Sequence, residues 1–261
     1  MLDVDGTLRD EEGWKPLSQA LIGALADAGL DIALCSGRNT ESLRGLAFGR
    51  PQIRYLSAGS GSLVLARDGD AWRALASRYL DRGTVGWVCA QAGEVGMELW
   101  AYTDHAWLVA SRNERVTAES HMVGAQATVG SFADRDDIVK LMAFPLSRTH
   151  RATLNRVDAQ RDLAVVQSYP GYFDIVDAQA ALAKGGDVLV EHLKLTWRQV
   201  IAMGDGENDL GMLGKAGVAM AMAPLRTVLL GRAEPGQQRF DCPDLAAVID
   251  RLRALGVIEA T

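Results

Sequence analysis

The stretch Pro16-Leu17-Ser18-Gln19-Ala20-Leu21-Ile22-Gly23-Ala24-Leu25-Ala26-Asp27-Ala28-Gly29, followed by Ile32-Ala33-Leu34-Cys35-Ser36-Gly37, decides the fold class. Pro16 stands like a first-turn proline, and Leu17, Ala20, Leu21, Ala24, Leu25 and Ala28 recur at helical spacing until Gly29 stops the pattern. Ile32 to Cys35 is a short apolar run that reads as a strand. Thr40-Glu41-Ser42-Leu43 opens a second helix, and Ile53 to Leu56 a further strand before the small residues Ser57 to Ser62. This is the β-α-β-α-β rhythm of a doubly wound, Rossmann-like parallel sheet, an α/β fold. The rhythm returns near the other end as a strand from Val200 to Met203, a helix around Leu210 to Ala216, a strand from Val218 to Met222 and a closing helix marked by Leu245, Val248, Ile249, Leu252 and Leu255. Between residues 78 and 177 the texture changes, with strands expected at Met97 to Tyr102 and Ala106 to Ala110 around a Thr103-Asp104-His105 turn. The expectation is a core of residues 1–77 and 178–261, interrupted by an inserted α+β domain of residues 78–177.

With 27 Lys+Arg against 33 Asp+Glu, the net charge of −6 argues against a nucleic-acid partner, since such proteins neutralise phosphates with basic patches. No apolar run approaches the roughly 18 residues that cross a bilayer, and Asp3 and Asp5 sit where a signal peptide carries basic charge. A cytoplasmic protein with no membrane partner is expected. Cys35, Cys89 and Cys242 show no paired spacing and read as buried thiols. His105, His121, His150 and His192 lack the spacing that places two imidazoles on one helix face, and read as structural residues.

The chemistry gathers at two acidic segments. In Met1-Leu2-Asp3-Val4-Asp5-Gly6-Thr7-Leu8, two carboxylates at i and i+2 of an extended segment point the same way, and Gly6 permits a sharp turn after them. Gly204-Asp205-Gly206-Glu207-Asn208-Asp209 follows a second apolar strand. Both segments fall at strand carboxyl ends, where open α/β sheets bind ligands. Asp3, Asp5, Asp205 and Asp209 brought together would repel one another, and a divalent cation with oxygen ligands would offset this. Mg²⁺ suits a few carboxylates plus a substrate phosphate. Ser36-Gly37-Arg38-Asn39 lies between a strand and a helix start, where backbone N–H groups favour an anion, and Lys184-Gly185 could set an ammonium against a phosphoryl group. Taken singly, Ser36 reads equally well as a helix cap and Lys184 as a solvated charge.

Together and in this order, the four segments resemble the haloacid-dehalogenase-like hydrolase superfamily, specifically its Cof-type phosphatases with a large cap. The resemblance spans nearly the whole chain, including the strand pair around Trp100 and Trp107 and the stretch Val139-Lys140-Leu141-Met142. It implies a phosphatase of small phosphomonoesters, sugar phosphates first, in which Asp3 is the nucleophile and Asp5 the general acid and base. It further implies Mg²⁺ on the Asp3 carboxylate, the Asp5 backbone carbonyl and Asp205, with Asp209 in support, and a phosphoryl group held by Ser36, Gly37, Lys184 and Asn208. Asp5 favours a phosphatase over a dehalogenase, because a departing halide needs no proton. A catalytically silent phospho-ligand binder and a phosphomutase are the alternatives. Retention of Asp3, Asp5, Lys184 and Asp205 counts against the first, and the form of the segment Gly204 to Asp209 against the second.

Three features depart from that pattern. Ser60-Gly61-Ser62 stands where Asn-Gly-Ala is common, and Met222 where an Asn usually follows the last core strand. Only Met1 and Leu2 precede Asp3, whereas a central strand usually reads as about five or six apolar residues, so the natural first strand is expected to begin upstream of Met1. The glycines of Gly59-Ser60-Gly61 invite a dinucleotide reading, but Val64 occupies the place of the third glycine. Trp87, Trp100, Tyr102 and Trp107 are expected to supply cap core more than a stacking platform.

Overall fold

Alternation of small and large apolar residues along the central strands lets helices pack on both faces of one sheet. The computed structural model describes residues 1–160 and 162–259. In it Ile32–Cys35 is buried throughout and pairs in parallel with Ile53–Ala58. Ile201–Gly204, Val218–Met222 and Gln238–Cys242 form a second parallel set. Leu2 joins the two sets, bridging in parallel to Leu34 on one side and Met203 on the other. Leu34, Leu56, Met203 and Met220 point to a face covered by Leu21, Ile22 and Leu25 of the helix Ser18–Asp27, and by Val248 and Leu252 of the helix Leu245–Ala254. Ala33, Ala202, Ala219 and Ala221 point the other way, against Leu189 of the helix Gly186–His192 and Met212 and Leu213 of the helix Leu210–Lys215. Burial on both faces fits a doubly wound sheet.

Two details differ from the sequence reading. Leu17 has φ 74, so the first helix begins at Ser18 rather than at Pro16, and the Ser18 hydroxyl donates to the Leu8 carbonyl at 2.7 Å. The sheet also continues past Ile53–Ala58 into an antiparallel hairpin, Leu63–Asp68 and Ala71–Ser77, to which the sequence reading assigned no element.

A separate six-stranded sheet has all its strands between Leu99 and Asp177, in the order Leu163–Tyr169, Tyr172–Asp177, Lys140–Ala143, Leu99–Tyr102, Trp107–Val109, Thr128–Val129. One face carries Leu99, Ala101, Leu141, Ala143 and Ile175 against the helices Arg82–Glu94 and Arg148–Asp158. The other carries Trp100, Tyr102, Trp107 and Met142, continuous with the apolar core of the first sheet. These aromatics are core, as expected. Trp100 and Trp107 pack with ring centroids 4.9 Å apart, and Trp87 only borders the opposite cluster. Among the described residues no helix is long and apolar enough to cross a membrane.

Candidate active site

Asp3 enters the site because Leu2 is held in the sheet from both sides. The Leu2 N–H donates to Ala33, the Cys35 N–H to Leu2, and the Asp3 N–H to Met203. The chain then turns at Gly6, whose φ is +85 and where a Cβ would come within 1.9 Å of the Asp205 carboxylate. Only glycine fits there. Thr7 donates from Oγ1 to Asp205 Oδ1 at 3.0 Å, so the first segment grips the second. Asp209 is buried, and its Oδ2 accepts the N–H groups of Asp205 and Gly206, at 3.1 and 3.0 Å. Gly204 is required beneath it, since a Cβ would lie 2.4 Å from Asp209 Cγ.

Lys184 comes from a left-handed turn, with φ 47 followed by 72 at Gly185. Ser57 Oγ donates to the Lys184 carbonyl at 2.5 Å, and Gly61 packs so close that a Cβ would sit 2.5 Å from Gly185 N. Of the glycines that suggested a dinucleotide loop, Gly61 instead makes room for the turn that carries the lysine. Its buried ammonium donates to Asp3 Oδ1 at 2.7 Å and to Asp209 Oδ1 at 2.6 Å. Burial alone would lower the Lys184 pKa, but Asp209 and Asp3 overrule it and hold the ammonium above its ordinary value. Asp3 is pushed well above the usual carboxylate value by burial and by the Asp209 charge. Asp205 is raised for the same two reasons.

Carboxylate oxygens of Asp3, Asp205 and Asp209 all lie within 4.8 Å of one another. Three acidic groups face one ammonium there, and hard oxygen donors in this number suit a divalent cation such as Mg²⁺. The carboxylate of Asp5 is not in this trio. It pairs with Arg38, whose Nε and Nη2 donate to its two oxygens, each at 2.7 Å. Of Asp5, only the backbone carbonyl remains as the expected ligand. Ser36 is buried and its Oγ accepts the Arg38 N–H at 3.1 Å. Gly37 is half-buried at the same strand end. Asn208 is half-buried under Gly206, where a Cβ would meet its Oδ1 at 2.3 Å.

The haloacid dehalogenase-like hydrolase family matches residues 1–229. The chain belongs to this family. This hydrolase is 25% identical over 270 residues to the HMP-PP phosphatase of Yersinia pseudotuberculosis, covering 98% of this chain and 90% of that one. It is 22% identical over 238 residues to the 5-amino-6-(5-phospho-D-ribitylamino)uracil phosphatase YcsE of Bacillus subtilis, covering 89% and 86%. Among solved structures, a HAD subclass IIB sugar phosphatase superposes with a TM-score of 0.82 at 18% identity over 98% of both chains. A HAD phosphatase from Bacteroides thetaiotaomicron does so at 0.79 and 20%, covering 98% and 94%. These likenesses establish the fold of the hydrolase.

Several residues of its site carried no role in the sequence reading. Arg38 stood inside the quoted anion loop without an assignment, although an arginine three residues after a strand end can reach a neighbouring carboxylate. Thr7 and Ser57 act through single hydroxyl bonds that no spacing announces. Lys140 and Asp174 are 34 residues apart in sequence yet form a buried ion pair at 3.0 Å, and Glu119 is buried with its Oε2 accepting from the Tyr172 hydroxyl at 3.2 Å. These pairings depend on the register of the second sheet.

Proposed function

We propose that this hydrolase cleaves small phosphomonoesters, sugar phosphates first, in a Mg²⁺-dependent reaction that passes through an aspartyl-phosphate on Asp3. The observation that carries the reading is the buried Lys184 ammonium shared between Asp3 Oδ1 and Asp209 Oδ1 beside Asp205, while Asp3 Oδ2 has no hydrogen-bond partner among the described residues. Relatives named as phosphatases support it.

In the first half, Asp3 Oδ2 attacks phosphorus and the bond to the leaving oxygen breaks, with Asp5 supplying the proton that oxygen needs. In the second, the Asp5 carboxylate takes a proton from water, whose oxygen attacks phosphorus, releasing inorganic phosphate and restoring Asp3. The bidentate bond from Arg38 suits the ionised, base form of Asp5, so Arg38 must let go for the acid half. Lys184, Ser36, Gly37 and Asn208 would bind the phosphoryl oxygens. Asp3, Asp205 and the Asp5 carbonyl would hold Mg²⁺ with Asp209 in support, and the bound ion would neutralise phosphoryl charge.

Residues 78–177 would act as a cap that excludes water and selects the leaving group. Glu119 of this segment supports that role, because it is buried where the charges of both Arg38 and Asp5 act on it. Three free cysteines fit a reducing, cytoplasmic setting. Incubation with an aryl phosphate and Mg²⁺, followed by a panel of metabolite phosphates, tests the reading. Release of phosphate supports it, and phosphate-ester binding without turnover would favour the silent binder instead.

A further inference from the structure

Lys140 and Asp174 lie on neighbouring antiparallel strands of the second sheet, on the same face, with Met142 opposite Asp174 in the register. Their side chains are 1% and 0% exposed. An ion pair so deeply buried is costly to desolvate, and apolar residues of similar volume often replace such a pair without loss. Its bonds beyond the pair point to what it does. Lys140 Nζ donates to the Gly37 carbonyl at 2.7 Å, and Asp174 Oδ2 accepts from the Ser60 hydroxyl, also at 2.7 Å. Both partners belong to loops at the carboxyl ends of core strands.

The peptide linking Gly37 to Arg38 is therefore pinned at both ends. Its carbonyl is held by Lys140 and its N–H by Ser36 Oγ. The side chain that leaves this peptide is the guanidinium that holds both oxygens of Asp5. Ser60 is held at φ 56, a conformation a serine rarely adopts unless surrounding bonds impose it. At Gly37 a Cβ would stand 2.9 Å from Asp174 Oδ2, so the loop is shaped to admit the pair. From that conformation the Ser60 hydroxyl reaches Asp174 as a donor.

We propose that Lys140 and Asp174 are positioning residues: docked on the catalytic loops, they fix the peptide that carries Arg38 and, through Arg38, the carboxylate of Asp5. Cap docking and placement of the general base are then one event. The proposal rests on the phosphatase reading for its kinetic consequence, but not for its structural one.

The test is the double variant Lys140→Met/Asp174→Leu, which removes both charges at similar volume, with a thermal melt as the check on folding. Hydrogen exchange of the full protein is expected to rise at residues 36–39 and 59–62 while the helix Ser18–Asp27 stays protected. Unchanged exchange at both loops would overturn the docking. In kinetics with 4-nitrophenyl phosphate and Mg²⁺, the double variant is expected to lower kcat by about tenfold or more in the natural background. In an Arg38→Met background it should lower kcat less than about twofold, because the link to Asp5 is already cut. An equal factor in both backgrounds marks a merely structural role and overturns the proposal. If the double variant does not fold, Ser60→Ala is read in the same two ways. A natural protein that hydrolyses no phosphate ester defeats the phosphatase reading, and the exchange result still decides the docking.

Discussion

In the proposed reaction Asp3 combines two demands that conflict in an apolar interior: it must be ionised to attack, and it is buried beside other acids. The fold answers with Lys184, yet Asp3 and Asp205 still titrate above the ordinary carboxylate value because of burial and Asp209. The folded chain therefore binds protons at these groups more tightly than the unfolded chain. Stability contributed here is present at low pH and is lost as pH rises from about 4 through the raised folded values. In chelator, the natural protein should lose melting temperature relative to Asp205→Asn as pH rises across that window, and Mg²⁺ should narrow the gap. A constant difference between the two proteins would contradict the assignment. Asp3→Asn keeps the shape and an acceptor for Lys184, so turnover should fall by orders of magnitude without loss of melting temperature. Gly61→Ala meets both a positive φ of +101 and the backbone of Ala180 and Gly185, and should cost about 3 kcal/mol in a denaturant titration.

On the proposed reading, elements divide the labour between chemistry and selection. Lys184 would then serve every phosphoryl group alike, so Lys184→Met should depress all substrates together. Glu119, on the helix Glu114–Val123, lies where the charges of Arg38 and Asp5 act on it and accepts from Tyr172 of the second sheet, so Glu119→Gln and Tyr172→Phe should reorder a substrate panel. An unchanged rank order would contradict a selecting role. The core elements were legible because their signals are local. Ile32–Cys35 and Val218–Met222 are uninterrupted apolar runs, Thr40–Ala47 opens on the Asn39 cap, and the closing helix repeats its apolar residues every three or four positions. The gathering of Asp3, Lys184, Asp205 and Asp209 was legible from their chemistry and their order along the chain. The hairpin Leu63–Asp68 and Ala71–Ser77 was not, since no residue of its outer strand is fully buried and Trp72, Leu75 and Ala76 are only partly covered. Nor was the turn of Asp5 toward Arg38, because a period-two pattern gives the side of a strand and not the partner that waits there.

At the scale of the molecule, the segments that meet at the site come from residues 3, 38, 184 and 205–209, and Leu2 is the seam that brings the two halves of the core sheet together. On the proposed reading, a cation at the acidic trio would have a structural as well as a chemical part. Activity should vanish in chelator and return with Mg²⁺, whereas Ca²⁺, which takes more ligands at longer distances, should restore little of it. Full activity in metal-free buffer would contradict this. The central claim is that a phosphoryl group passes through Asp3. Acid quenching during turnover of an aryl phosphate with Mg²⁺, followed by peptide mass mapping, tests it most directly. The account predicts one phosphoryl group on Asp3, accumulating further in Asp5→Asn, where the base that activates water is missing. Turnover with no phosphoryl group on Asp3 in either protein would contradict it.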